Sequence, residues 1–137
     1  MAYWLVKTEP GSWSWDDQVR KDVEGWDGVR NHQAAKNLRT MKIGDKAFFY
    51  HSVNEKRIVG IVEVVREFYP DPGDATGKFV QVDFKTVEPL KTPVSLADIK
   101  ADPRFAELSL LKQSRLSVMP IDDASWAAIC EMGGVAP

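Results

Sequence analysis

The segment Phe79–Val87 constrains this chain most. Phe79, Gln81, Asp83, Lys85 and Val87 alternate with Val80, Val82, Phe84 and Thr86. A two-residue period sends successive side chains to opposite faces, so the segment reads as a long strand with one buried face. A strand of that kind needs partners, and the sequence supplies them. Tyr3–Lys7 (YWLVK), Lys46–His51 (KAFFYH) and Ile58–Arg66 (IVGIVEVVR) are rich in aromatic and β-branched residues, and Arg115–Val118 adds a short final strand. Gly60, inside the most apolar of these runs, predicts a bulge or a point where another group approaches closely.

Short helices fill the intervals. Ser14 with Asp17 three residues on has the spacing of a capped helix over residues 15–21, and Asn31 caps a second, QAAKNLRTM, free of Gly and Pro. Ser95 and Asp98 open a third, Asp102-Pro103 a fourth, and Asp122 caps DASWAAICEM, which Gly133-Gly134 stops. No strand–helix–strand rhythm, repeat or linker interrupts the 137 residues. The expectation is one α+β domain over residues 1–137, built on a mixed, barrel-like sheet of about five to six strands surrounded by short helices.

Composition excludes several classes. The one cysteine, Cys130, permits no internal disulfide, fits a reducing compartment, and lies with Trp126 and Ile129 on the apolar face of the last helix, where a packed thiol is expected. No apolar run approaches the ~18 residues of a membrane span, so a cytoplasmic protein is expected, without a membrane partner and acting as a monomer. Cys130, His32 and His51 are too scattered for a metal site, and no phosphate-loop, dinucleotide or nucleophile-elbow motif occurs. Adjacent strand residues point to opposite faces, so His51 and Ser52 make a poor base–nucleophile pair. No enzyme activity, cofactor or metal is expected.

The net charge of −2 hides an uneven distribution. Residues 28–60 carry seven Lys and Arg against two acids, a net +5, while the segments on either side are acidic. That pattern suits an anion-facing surface on an otherwise acidic molecule, although solvated charges on a helix and its loops would produce it too. At the start of the basic stretch, GWDGVRN at 25–31 brackets Trp26 with glycines that let backbone approach a ligand. Lys7 closes the first strand, and Tyr50, His51 and Ser52 close another, so these groups can meet at one rim of the sheet. An aromatic plane with fixed donors and acceptors is what an extruded base requires. Each residue has a second reading: Trp26 in the core, Arg30 paired with Asp27, Asn31 as a cap, Tyr50 buried. Trp4 and Trp126 are assigned to the core, while Trp13 and Trp15 either staple a turn or reach a ligand.

These stretches carry a family resemblance. YWLVKTEP at 3–10, SWDD at 14–17, WDGVRNHQAAKNLRTMKIGD at 26–45, FFYHS at 48–52, IVGIVEVV at 58–65, YPDP at 69–72 and RLSVMP at 115–120 resemble the EVE domain of the PUA-like superfamily, in order and over almost the whole chain. The resemblance implies a PUA-like fold and a non-catalytic module that reads a modified base, cytosine or adenine, in DNA or RNA. The related YTH domain holds such bases in an aromatic cage. By similarity the base pocket comprises Lys7, Thr8, Trp26, Arg30, Asn31, Tyr50, His51 and Ser52, with a further wall from Phe68 or Tyr69. His32, Lys36, Arg39 and Lys42 fall to the nucleic-acid backbone, Lys36 standing where the family commonly has Arg. The alternative is a small-molecule or protein-interaction module that uses the same pocket for a nucleobase-like ligand.

Overall fold

The computed structural model describes residues 1–137. In chain order the elements are β1 (Tyr3–Thr8), α1 (Trp15–Lys21), β2 (Val23–Gly25), α2 (His32–Thr40), β3 (Lys46–His51), β4 (Arg57–Pro70) and β5 (Val80–Ser95). There follow α3 (Leu96–Ala101), a 3-10 turn at Pro103–Phe105, α4 (Ser109–Lys112), β6 (Val118–Ile121) and α5 (Asp123–Met132). The strands form one sheet in the order β2-β5-β4-β3-β1-β6. Only β1 and β3 run parallel; the other pairs are antiparallel.

The sheet does not close: β2 and β6 are its two edges, so the expected barrel-like curvature stops short of a barrel. β4 and β5 shift register at four places, between Ile58 and Gly60, Ile61 and Val62, Val64 and Arg66, and Arg66 and Tyr69. Each such irregularity inserts unpaired residues and turns the strand. β5 runs eight residues past the expected end at Val87, to Ser95, and the last strand lies at Val118–Ile121 instead of Arg115–Val118. Pro120 is exposed on β6, at an edge of the sheet, where a missing N–H costs least.

The helix caps explain the connections. Ser14 and Asp17 form a reciprocal capping box at α1, and Asn31, Ser95 and Asp122 each accept a backbone N–H of the following turn. Trp126 of α5 is stacked between Tyr3 of β1 and Phe48 of β3, at centroid distances of 4.3 and 3.9 Å, which fastens the last helix to the centre of the sheet. Trp4 is buried too, and its indole N–H reaches the buried Asp45 carboxylate at 3.1 Å. Trp15 docks α1 on β4. Its ring lies so close to Gly60 that a Cβ there would sit 2.4–2.6 Å from ring carbons, so the glycine is a point of close approach as well as a bulge.

Candidate functional site

A cavity of about 390 Å³ opens where β1 ends and the segment from β2 to α2 crosses it. Ligand pockets span ~300–1,000 Å³, so the space is at the small-ligand end of that range. One wall comes from Lys7 and Thr8 of β1, the Ser12-Trp13 turn before α1, and Ser117 next to β6. The other is the continuous stretch Glu24 to Arg30. Both walls are anchored to the sheet: the Lys7 amide donates to Ser117 O at 2.9 Å, and the Trp26 amide donates to Val82 O at 2.7 Å.

The two tryptophans of the cavity are held differently. Trp26 is only 7% exposed, and its indole makes T-shaped contacts with Phe49 and Phe84 at centroid distances of 5.6 and 5.5 Å. Trp13 is half-buried, and its Nε1–H donates to Gln18 Oε1 at 3.0 Å, which fixes the ring. Thr8 Oγ1 donates to Trp13 O at 2.9 Å and ties this turn to β1. Behind the second wall, a Cβ on Gly25 would lie 2.5 Å from the Gln81 side chain. Gln81, the Tyr69 hydroxyl and Asp83 form a hydrogen-bonded chain there.

Asp71 holds the far end of that wall. It is 2% exposed and accepts from the Gly28 amide at 2.8 Å, the Gly73 amide at 2.8 Å and Arg30 Nη1 at 2.9 Å. Burial alone raises its pKa, but these three donors outweigh it and leave the carboxyl below its usual range. Arg30 also lies over the Phe79 ring at 5.3 Å, and His32 stacks on the same ring at 5.2 Å. Phe79 thus joins the cavity rim to α2. His32, Lys36 and Arg39 are exposed along one face of that helix at i, i+4 and i+7, and Ala34, Ala35 and Leu38 are buried on the other. Arg39 donates to Lys78 O, and no acidic residue lies between Gly28 and Gly44. Lys42 is exposed beyond the end of α2.

Of the residues the sequence put at the pocket, Lys7, Thr8, Trp26 and Arg30 line the cavity and four do not. Asn31 spends its side-chain oxygen on the Ala34 amide at 2.9 Å, as the helix cap. Tyr50 faces inward, nearly fully buried, with Lys7 Nζ 5.8 Å from its ring centroid. His51 is buried, its Nε2 accepting from the Trp15 amide at 3.0 Å and its Nδ1 bonded to Glu55 at 2.9 Å, so the ring locks α1 to the β3–β4 turn. The Ser52 amide donates to Thr8 O at 2.9 Å, outside the cavity. Phe68 and Tyr69 are also absent from the lining, Phe68 being exposed and Tyr69 packing behind Gly25. Sequence reasoning missed Ser12, Glu24, Asp27, Val29 and Ser117 as lining residues. Trp13, in SWSWDD beside the capping serine, had a signal but no decisive one. Burial pushes the Cys130 thiol up to about 11, as suits a packed side chain. No helix is long and apolar enough to cross a membrane.

An open mixed sheet with this strand order, flanked by short helices, defines a protein of the PUA-like class. The chain belongs to the EVE domain family, which it matches over residues 2–132. It is 32% identical to rat thymocyte nuclear protein 1 over 169 aligned positions, covering 98% of this chain and 75% of the relative. The solution structure of Rpa0253 from Rhodopseudomonas palustris is similar at 57% identity, with a TM-score of 0.93 over 98% of this chain and 94% of that one. A crystal structure of human THYN1 protein in complex with 5-methylcytosine-containing DNA is 29% identical, with a TM-score of 0.90 over 100% of both chains.

Proposed function

We propose that this chain is a non-catalytic DNA-binding module that accepts a modified base in the cavity between Trp13 and Trp26, with the exposed face of α2 beside the phosphate backbone. One observation carries the reading: a chain of the same fold over its whole length, human THYN1, is seen in complex with 5-methylcytosine-containing DNA. The geometry supports it. The cavity is of ligand size, and of its two tryptophans Trp13 is the more accessible, since Trp26 is buried against Phe49 and Phe84. Stacking on an aromatic side chain contributes about 1–3 kcal/mol per base, against an unstacking cost of a few kcal/mol for a base taken from a duplex. The deficit is met by phosphate contacts. His32, Lys36 and Arg39 form an exposed stripe, with cations at Lys36 and Arg39, that begins, through Phe79 and Arg30, at the cavity rim.

The test is a fluorescence anisotropy titration of duplexes with and without a central 5-methylcytosine. Trp13→Ala is expected to weaken binding of the modified duplex at least about fivefold and to leave binding of the unmodified one within about twofold. Arg39→Glu is expected to weaken both, and to lower the magnitude of the log K against log salt slope by about 0.9 for each phosphate no longer neutralised. Equal binding of the two duplexes by the unaltered protein would overturn the reading. Loss of modified-base binding in Trp13→Ala with no effect of Arg39→Glu would favour a free nucleobase-like ligand instead.

A further inference from the structure

The motif RLSVMP at 115–120 delivers only Ser117 to the cavity, and the turn at its start has no part in the function proposed above. Residues 113–116 form a β-turn closed by the Leu116 amide, which donates to Gln113 O at 3.0 Å. Lys7 pins this turn to the first cavity wall twice: Nζ donates to Ser114 O at 3.0 Å, and the amide donates to Ser117 O at 2.9 Å. Leu116 is buried beneath, so the turn is held in one place beside the cavity. Arg115 in the middle of the turn is exposed, with no hydrogen bond or ion pair inside the protein. Its neighbours are already engaged, Lys112 with Glu107 and Arg30 with Asp71.

The surroundings of Arg115 suit an anion. No acidic residue lies between Glu107 and Asp122, just as none lies between Gly28 and Gly44. Asn37 Nδ2 of α2 donates to Val118 O at 2.8 Å, so these two acid-free stretches are neighbours. The second cavity wall, by contrast, carries the carboxylates of Glu24 and Asp27, which repel phosphate. We propose that Arg115 is a second phosphate anchor, holding a phosphate next to the extruded nucleotide from the β1 wall while Lys36 and Arg39 hold the strand along α2. This rests on the function proposed above and adds a backbone contact to that site. A base turned out of its stack rotates about its own backbone, so its flanking phosphates come to the mouth of the pocket. A guanidinium fork pairs two N–H groups with two phosphate oxygens, and here the turn that carries it is already fixed, so only the side chain is ordered on binding.

The test is an anisotropy titration with three 5-methylcytosine duplexes. One has all its phosphates charged; in the others the linkage on the 5′ or the 3′ side of the modified nucleotide is an uncharged methylphosphonate. Arg115→Gln is expected to weaken binding of the fully charged duplex at least about threefold and to lower the magnitude of the log K against log salt slope by about 0.9. On one of the two methylphosphonate duplexes the same substitution should cost less than about 1.5-fold, because the charge that Arg115 contacts is already gone. Lys36→Gln should cost as much there as on the fully charged duplex. Arg115→Lys, which keeps the charge and loses the fork, should fall between Arg115→Gln and the unaltered protein. Lys91→Gln removes one exposed charge outside this surface, on β5 beside Gly134, and should change binding by less than about 1.5-fold. A loss below about 1.5-fold for Arg115→Gln on the fully charged duplex overturns the inference, as does an equal loss on all three duplexes, the result that a charge acting from a distance gives. In either case a retained preference for 5-methylcytosine over cytosine leaves the proposed function standing. An unaltered protein that binds modified and unmodified duplexes alike defeats that function, and the inference with it.

Discussion

Replacing Asp71 with alanine removes the acceptor that fastens the cavity's second wall to the β4–β5 loop. Three donors lose their partner: the amides of Gly28 and Gly73 and the guanidinium of Arg30. A hydrogen bond to a charged group contributes about 1.5–3 kcal/mol. The three do not simply add, because removing the carboxylate also relieves the cost of burying it, and Gly28, Gly73 and Arg30 are exposed enough to be rehydrated. The net loss is therefore about 2–3 kcal/mol, somewhat below the ~3–5 kcal/mol that breaking a fully buried pair costs. For a chain of 137 residues, 1 kcal/mol lowers Tm by about 3–4 °C, so thermal unfolding is expected about 6–12 °C lower. The loss should be local as well as global. Amide exchange should quicken first over residues 26–31 and 71–79, and modified-duplex affinity should fall at least about tenfold at temperatures where the variant is fully folded. Asp71→Asn, which retains one acceptor oxygen, should fall between. A Tm within about 2 °C of the unaltered protein, or unchanged binding in a loosened loop, would refute this reasoning.

Two further perturbations follow from the packing and the charges. Gly60→Ala places a methyl against the Trp15 ring at 2.4–2.6 Å, an overpacking expected to destabilise by about 1–3 kcal/mol in denaturant titration. Trp15→Phe in the same chain should recover part of it, and strict additivity of the two changes would contradict the contact. Stability should also fall in acid. Hydrogen bonds from the Thr76 hydroxyl and amide and the Phe79 amide hold the Asp74 carboxyl at about 2, Ser125 lowers that of Asp122, and Asp71 is lowered by the donors named above, against its burial. Because these folded-state values lie below the unfolded ones, their stabilisation is complete above the ordinary carboxylate range and is lost as pH falls through the folded values. Chemical denaturation midpoints should be level down to about pH 5 and drop below about pH 4. A midpoint flat to about pH 2 would contradict the assignment.

Local chemistry made much of the fold legible. Ser14, Asn31, Ser95 and Asp122 cap helices because their side chains satisfy backbone donors within three residues, a relation the sequence displays directly. The alternation at Phe79–Val87 and the apolar runs at β3 and β4 gave the centre of the sheet. What escaped depends on distant pairing. β2 has three residues and exists because Val23, Glu24 and Gly25 pair with Lys85, Phe84 and Asp83. β5 continues through Pro89 because β4 bends to follow it. At the site the same distinction holds. GWDGVRN was readable as a backbone-approach segment, and it forms one wall. His51 and Ser52 looked available because their partners, the Trp15 amide and Thr8 O, are far away in sequence. Asn31 had a capping signal and a pocket signal, and the local bond took its oxygen. Glu24 was hidden inside an acidic stretch, and it lines the cavity from β2, whose pairing with β5 is distant in sequence.

The central claim is that a modified base enters the cavity while the phosphates lie along α2. Backbone amide chemical shifts during titration with duplexes containing cytosine or 5-methylcytosine at one position test both halves at once. Amides of His32, Lys36 and Arg39 are expected to shift with either duplex. Those of Glu24, Gly25, Gly28 and Ser117, together with the Trp13 indole N–H, should shift with the modified duplex alone. Shifts confined to α2 with both duplexes, or centred away from Trp13 and Gly25, would contradict it.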